Sequence, residues 1–229
     1  MNELQAYIDE LEAIDLAIAN GTYKKGRWQR LVREIQDLPA ESKKALSTLV
    51  TQVSNHLHQE NEFPSLPVTI GFAFEAVLFT AACLLLVEPS IWLRLVGVAA
   101  LALCLQPSIK ILTGSILGVR YAYVFLWYFE PRFKMQFGSY LARSQGQKML
   151  INAMGSIGTP IALATGYVVL QDLPWLSLLC LAAVVGATVM QVGAFIAALM
   201  GVRKVGPFLL TTLTTPATLG GQVREMLGK

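Results

Sequence analysis

Residues 68–87 read VTIGFAFEAVLFTAACLLLV, twenty residues carrying a single charge, Glu75. A helix rises about 1.5 Å per residue, so a run of this length matches the roughly 30 Å of hydrocarbon in a bilayer. The stretch predicts a membrane-spanning helix, and the rest of the chain falls into place around it. Three further apolar runs of spanning length follow at residues 91–114, 150–170 and 175–202. The links Glu88-Pro89-Ser90 and Gln171–Pro174 are very short, which predicts two antiparallel hairpins. The expected fold class is all-α: a polytopic membrane protein of four transmembrane helices, with a small N-terminal helical segment.

Composition agrees. Of the 229 residues 54% are hydrophobic and 14% charged, against about 25% charged in soluble domains. The charges are unevenly placed. Residues 1–62 hold seven Lys and Arg against ten Asp and Glu, and residues 63–229 hold eleven against five. Two regions of different physical character are therefore expected, 1–62 and 63–229, meeting near Pro64 and Pro67.

Charge also predicts orientation. With the N-terminus inside, the cytoplasmic parts are residues 1–67, 115–149 and 203–229, and sixteen of the eighteen Lys and Arg lie there. Only Arg94 and Lys110 do not. Loops rich in Lys and Arg stay on the cytoplasmic side, so both termini are expected in the cytoplasm and the chain in the cell membrane. A fifth span at 111–129 would centre Arg120 in lipid and export Arg132, Lys134, Arg143 and Lys148; it is rejected on those grounds. Residues 1–62 are polar, so no cleaved leader is expected and the 68–87 run serves as an internal insertion signal.

The N-terminal segment shows three amphipathic stripes at helical spacing: Leu4, Tyr7, Leu11, Ile14 and Ile18; Trp28, Leu31, Val32 and Ile35; Leu46, Leu49, Val50, Val53 and Leu57. Asn20-Gly21 and Asp37-Leu38-Pro39 punctuate them. Three short helices able to bury one another are expected. A core that small is marginal alone, which favours docking onto a partner.

Two constellations could carry chemistry. The first is an aromatic and basic segment at 115–149, in which Arg120, Tyr121, Trp127, Glu130, Arg132 and Lys134 stand among Tyr123, Phe125, Tyr128, Phe129, Phe133, Phe137 and Tyr140. Amphipathic rings and cations suit the headgroup layer, so an interfacial anchoring helix is expected, with lipid-headgroup binding as the functional reading. The second is a polar set inside the spans. An ionisable side chain in a span is costly and marks a candidate site. Glu75 lies about 10 Å into the first span by helical rise, and Lys110 reaches a similar depth on the second. Gln106, Asn152 and Gln191 join them. A Glu75–Lys110 pair with interhelical amide bonds is one expectation, a polar pocket open to the cytoplasm the other.

Small residues at four-residue spacing on the third run, Gly158, Ala162 and Gly166, and a similar stripe of Gly186, Gly193, Ala197 and Gly201 on the fourth predict close helix packing or self-association. Pro160 frees a carbonyl that Ser156 or Thr159 could help satisfy. The run 205–219 is too short and too rich in Thr and Pro to span, which predicts an interfacial or re-entrant segment.

Other classes are set aside. Cys83, Cys104 and Cys180 lie in separate apolar runs, so neither a disulfide framework nor a metal site is expected. His56 and His58 are the only histidines, too few for a membrane di-iron enzyme. No GxSxG, His–Cys nucleophile or dinucleotide-binding glycine pattern occurs, and no cofactor is expected. The chain therefore reads as a non-enzymatic membrane scaffold or adaptor presenting residues 1–62 to a protein partner, with membrane lipids and a second copy as further partners and nucleic acid excluded. The alternatives are a small oligomeric transporter or channel subunit using Glu75 and Lys110, and a lipid-headgroup-binding or lipid-modifying protein.

Overall fold

The computed structural model describes residues 3–24, 26–59, 64–127, 130–206, 208–210 and 214–227, with the backbone alone at Glu3, Trp127, Glu130, Pro131, Phe208 and Glu225. The described chain is mostly helical, 76%. It forms two compact units, residues 1–71 with 115–144 and residues 72–114 with 145–229.

In the first unit α1 (Glu3–Ala19), α2 (Arg27–Gln36) and α3 (Ala40–Gln59) follow one another. Gly21 and Gly26 carry the turns between α1 and α2 at φ +65 and +98, a region that costs other residues. The stripes meet in one core of Leu11, Ile14, Ile18, Leu31, Ile35, Leu46, Val50 and Val53. That core is completed from far along the chain. Leu141 of α6 (Phe137–Leu141) is buried in it, and Gly138 lies so close to α3 that a Cβ would sit 1.8 Å from the Ser47 carbonyl oxygen.

The first unit also holds a three-stranded antiparallel sheet of β1 (Ser65–Pro67), β2 (Tyr121–Trp127) and β3 (Glu130–Met135), in that order. The aromatic-basic segment is thus a hairpin of strands, which corrects the expected interfacial helix. The physical reason is local: Tyr121, Tyr123 and Phe125 recur at period two, and aromatic residues favour strands. Tyr128 and Phe129 lie outside the described residues. In the register Tyr123 faces Lys134 and Phe125 faces Arg132, whereas an irregularity between Tyr121 and Tyr123 pairs Tyr121 with Met135. Strand alternation then puts Tyr123, Phe125, Arg132 and Lys134 on one face, and Tyr121 with Val124 and Phe133 on the other.

The second unit holds most of four helices long and apolar enough to cross a membrane: α4 (Val68–Leu86), α5 (Ile91–Ile116), α7 (Gln145–Val169) and α8 (Pro174–Leu199). They stand where the apolar runs predict them. The second helix continues through Pro107 and ends at Ile116, beyond which Gly118 takes φ +81. Ala82, Leu101, Cys104 and Ala162 form one buried cluster, and Val98, Leu170, Leu176 and Cys180 another. Glycine allows the closest approaches. A Cβ on Gly158 would lie 2.4 Å from the Gln106 Cα, and one on Gly166 2.9 Å from the Cys180 Sγ. Gly186 and Gly193 of α8 face open space instead.

The tail is built of several elements. Strands β4 (Lys204–Val205) and β5 (Phe208–Leu209) pair, and α9 (Thr215–Met226) follows. The Thr214 hydroxyl accepts a hydrogen bond from the Ala217 N–H at 3.3 Å, an N-cap with Pro216 in the first turn. Gly220 brings α9 against α8: a Cβ there would meet the Phe195 carbonyl oxygen at 2.3 Å. Pro207 and residues 211–213 lie outside the described residues.

Candidate functional site

The polar side chains of the spanning helices meet mostly in pairs. Glu75 is 5% exposed and accepts a hydrogen bond from the Ser108 hydroxyl of α5 at 3.1 Å. Its partner is not Lys110. The aliphatic stem of Lys110 runs along Gly155 of α7, where a Cβ would touch it at 3.0 Å. Gln106 accepts from the Thr159 hydroxyl at 2.8 Å, and the Asn152 amide donates to the Gln222 Oε1 of α9 at 3.1 Å. Ser156 donates to the Asn152 carbonyl, so neither hydroxyl near Pro160 turns to the carbonyl that the proline frees. Gln191 is half-buried on α8. Lys148, one turn before Asn152, is buried as well.

One ionic link stands at the other end of these helices. Arg94 donates to the Val169 carbonyl at 2.7 Å and to the Asp172 carboxylate, tying the start of α5 to the α7–α8 link.

The six aromatic and basic candidates are divided by the hairpin. Arg120 is exposed, held by its backbone to Ser139 and Gln136. Tyr121 packs edge-on against Phe133 with ring centroids 6.1 Å apart, and burial pushes its hydroxyl up to about 12. The Trp127 and Glu130 side chains lie outside the described residues. Arg132 and Lys134 share the face turned to α3. There the Lys134 ammonium donates to the Ser54 hydroxyl at 2.9 Å. The Tyr123 hydroxyl and the His58 Nδ1 are 2.8 Å apart, and the His58 ring sits edge-on to Phe125 at 4.4 Å.

Electrostatics single out the same cluster. Burial holds the Lys134 ammonium down at about 8. His58 is pushed below its usual value, first by burial and then by the Lys134 charge. Ser54 and His58 carry a signal that periodicity alone overlooks. They stand four residues apart on α3, and Ser54 follows Val53 as a polar residue within the buried stripe. A buried hydroxyl there needs a partner.

A third polar feature is a charged cleft of Glu10, Lys24, Arg27, Arg30, Leu31 and Glu34. Arg27 grips Glu10 with two nitrogens, at 2.6 and 2.8 Å. The guanidinium holds the Glu10 carboxyl below the usual carboxylate range.

Compared with protein-family models, curated proteins and solved structures, the chain matches none.

Proposed function

We propose that this chain is a non-enzymatic membrane scaffold: four spans in the cell membrane that carry a cytoplasmic module for a protein partner. The observation that supports it is the first compact unit. Residues from before the first span and from between the second and third fold around one core, with Leu141 among α1–α3. A tether between spans needs no such core. The module offers an exposed, charged α2 face through Gln29, Arg30, Arg33 and Glu34. The spans form two antiparallel hairpins, favoured by the short links and by contacts pairing Gly97 with Ala82 and Gly166 with Cys180. Both termini lie in the cytoplasm, the side that sixteen of the eighteen Lys and Arg favour.

Two measurements test this. In a cysteine-free background of the full chain, Ser90→Cys should react with a membrane-impermeant maleimide from outside, and Ser144→Cys only after permeabilisation. A photo-crosslinking side chain at Gln29 or Arg33 should give one protein adduct of fixed mass, and the same probe at Val189 of α8 none. Absence of any protein adduct from the module would sink the scaffold reading.

A second reading, a small oligomeric transporter or channel subunit, is favoured by the grouping of the polar residues. Ser108, Gln106 and Lys110 lie within about 6 Å along α5 and bring Glu75, Thr159 and Gly155 to the same level. In an antiparallel α7–α8 pair, Gln191 lies as far past Cys180 as Gly155 lies before Gly166, and so joins that level. Ion flux in reconstituted vesicles that disappears with Glu75→Gln would favour this reading over the scaffold.

A further inference from the structure

Lys134 is a cation with which no described carboxylate pairs. It is half-buried, and its described hydrogen-bond partner is the neutral hydroxyl of Ser54, itself 7% exposed. Lysine is rarely buried without an opposite charge, because desolvating an unpaired ammonium is costly. An ammonium has three N–H donors. Ser54 takes one, and none of the described carboxylates takes another. Around it the sheet and α3 gather further polar groups: His58 within reach of its charge, the Tyr123 hydroxyl bonded to His58, and Arg132 two residues away on the same face. This concentration of N–H and O–H groups matches an acceptor-only oxyanion.

The chain path suggests where such an anion comes from. Pro67 of β1 is followed directly by Val68, the first residue of the first span, and β2 starts five residues after the second span ends. Two strands of this sheet are therefore tethered within a few residues of span ends, the level of lipid phosphates.

We propose that the α3-facing side of the hairpin, centred on Lys134 with Ser54, His58 and Arg132, binds a phosphate group, either that of an anionic lipid or free phosphate. Ser54 holds the ammonium in position and leaves its other donors to the phosphate oxygens. Phe125 and Tyr123 wall the site on the His58 side. Phosphate binding gives the ammonium an opposite charge and pulls it back up from about 8.

The test uses the full chain in nanodiscs of phosphatidylcholine, of phosphatidylcholine with phosphatidic acid, and of phosphatidylcholine with inorganic phosphate in the buffer. Thermal unfolding and native mass spectrometry read stabilisation and retained ligand. Phosphatidic acid is expected to raise the melting temperature and remain bound. Lys134→Met should lose at least about tenfold in affinity, the worth of one charge-assisted hydrogen bond, and Lys134→Arg should keep most of it. Stabilisation by inorganic phosphate alone assigns the site to soluble phosphate. Lys134→Met removes a half-buried charge and should fold; Lys134→Gln provides a second variant. Arg120→Gln, an exposed cation on the same segment, should change nothing. No stabilisation from either source in the native chain, equal binding by Lys134→Met, or an equal loss from Arg120→Gln would each overturn the proposal. The outcome does not depend on whether the module also binds a protein.

Discussion

A Cβ on Gly158 would lie 2.4 Å from the Gln106 Cα and 2.6 Å from its nitrogen, so the obstacle is backbone and cannot rotate away. Gly158→Ala should therefore separate α5 from α7 and cost about 1–3 kcal/mol, the usual range for overpacking. Thermal unfolding in detergent checks it, with Gly186→Ala as the control. Space is open at Gly186, so that change should stay within about 0.5 kcal/mol. Both glycines belong to small-residue patterns that look alike in the sequence. What separates them is whether another helix happens to cross there, and no spacing rule carries that information. Glu75 teaches the same lesson. Its depth in the first span was legible from residue counting, but its partner was not, because Ser108 and Lys110 lie within a single turn of α5. A rotation of well under one turn decides between hydroxyl and ammonium. Ser108→Ala should leave the Glu75 carboxyl with no described partner and cost about 1–3 kcal/mol. An unchanged melting temperature would show the bond to be idle.

The C-terminal helix depends on its first turn. Thr214 caps α9 through the Ala217 N–H, and such caps are worth about 1 kcal/mol. Thr214→Ala should speed hydrogen exchange across residues 215–226, and Thr214→Ser should restore protection. Equal exchange in all three proteins would mean that docking onto α8 alone holds the helix. Arg94 does comparable work at the far end of the spans, where it ties α5 to the Val169 carbonyl and Asp172. Arg94→Ala should lower the melting temperature more than Asp172→Asn, since the former loses the bonds to Val169, Pro89 and Asp172 and the latter keeps the two carbonyls. The hairpin at 121–135 was only partly legible. Its period-two aromatics were present in the sequence, but next to four spans the same composition equally suits a lipid interface.

The first unit should respond to pH through Lys134 and His58. Burial lowers Lys134 from 10.5 to about 8, so between those values the unfolded chain binds the proton and the folded chain does not. Stability therefore falls as pH drops from 10.5 to about 8, and no further through this group below that. His58 is also lowered, from 6.5, and adds a second loss as pH falls below 6.5. Unfolding of the full chain followed by fluorescence across this range should show both losses. Lys134→Met should remove the alkaline one and leave the part of the acidic one that burial of His58 causes. A flat profile above pH 8 in the native chain would count against a desolvated Lys134.

The number and placement of the four helices long and apolar enough to cross a membrane were determined by the sequence itself, since hydrophobic length is a property of consecutive residues and needs no knowledge of what lies opposite. The helical stripes of the N-terminal segment were legible for the same reason. Only the tertiary structure decided that residues 115–144 join residues 1–71 in one unit, that Leu141 completes a core begun at Leu11, and that Ser54, His58 and Lys134 stand together. Each of these is a meeting of residues more than 50 positions apart, and such contacts follow from strand register and helix rotation. Register in turn hangs on local geometry: the irregularity between Tyr121 and Tyr123 sends Tyr121 to one face and leaves Lys134 on the other.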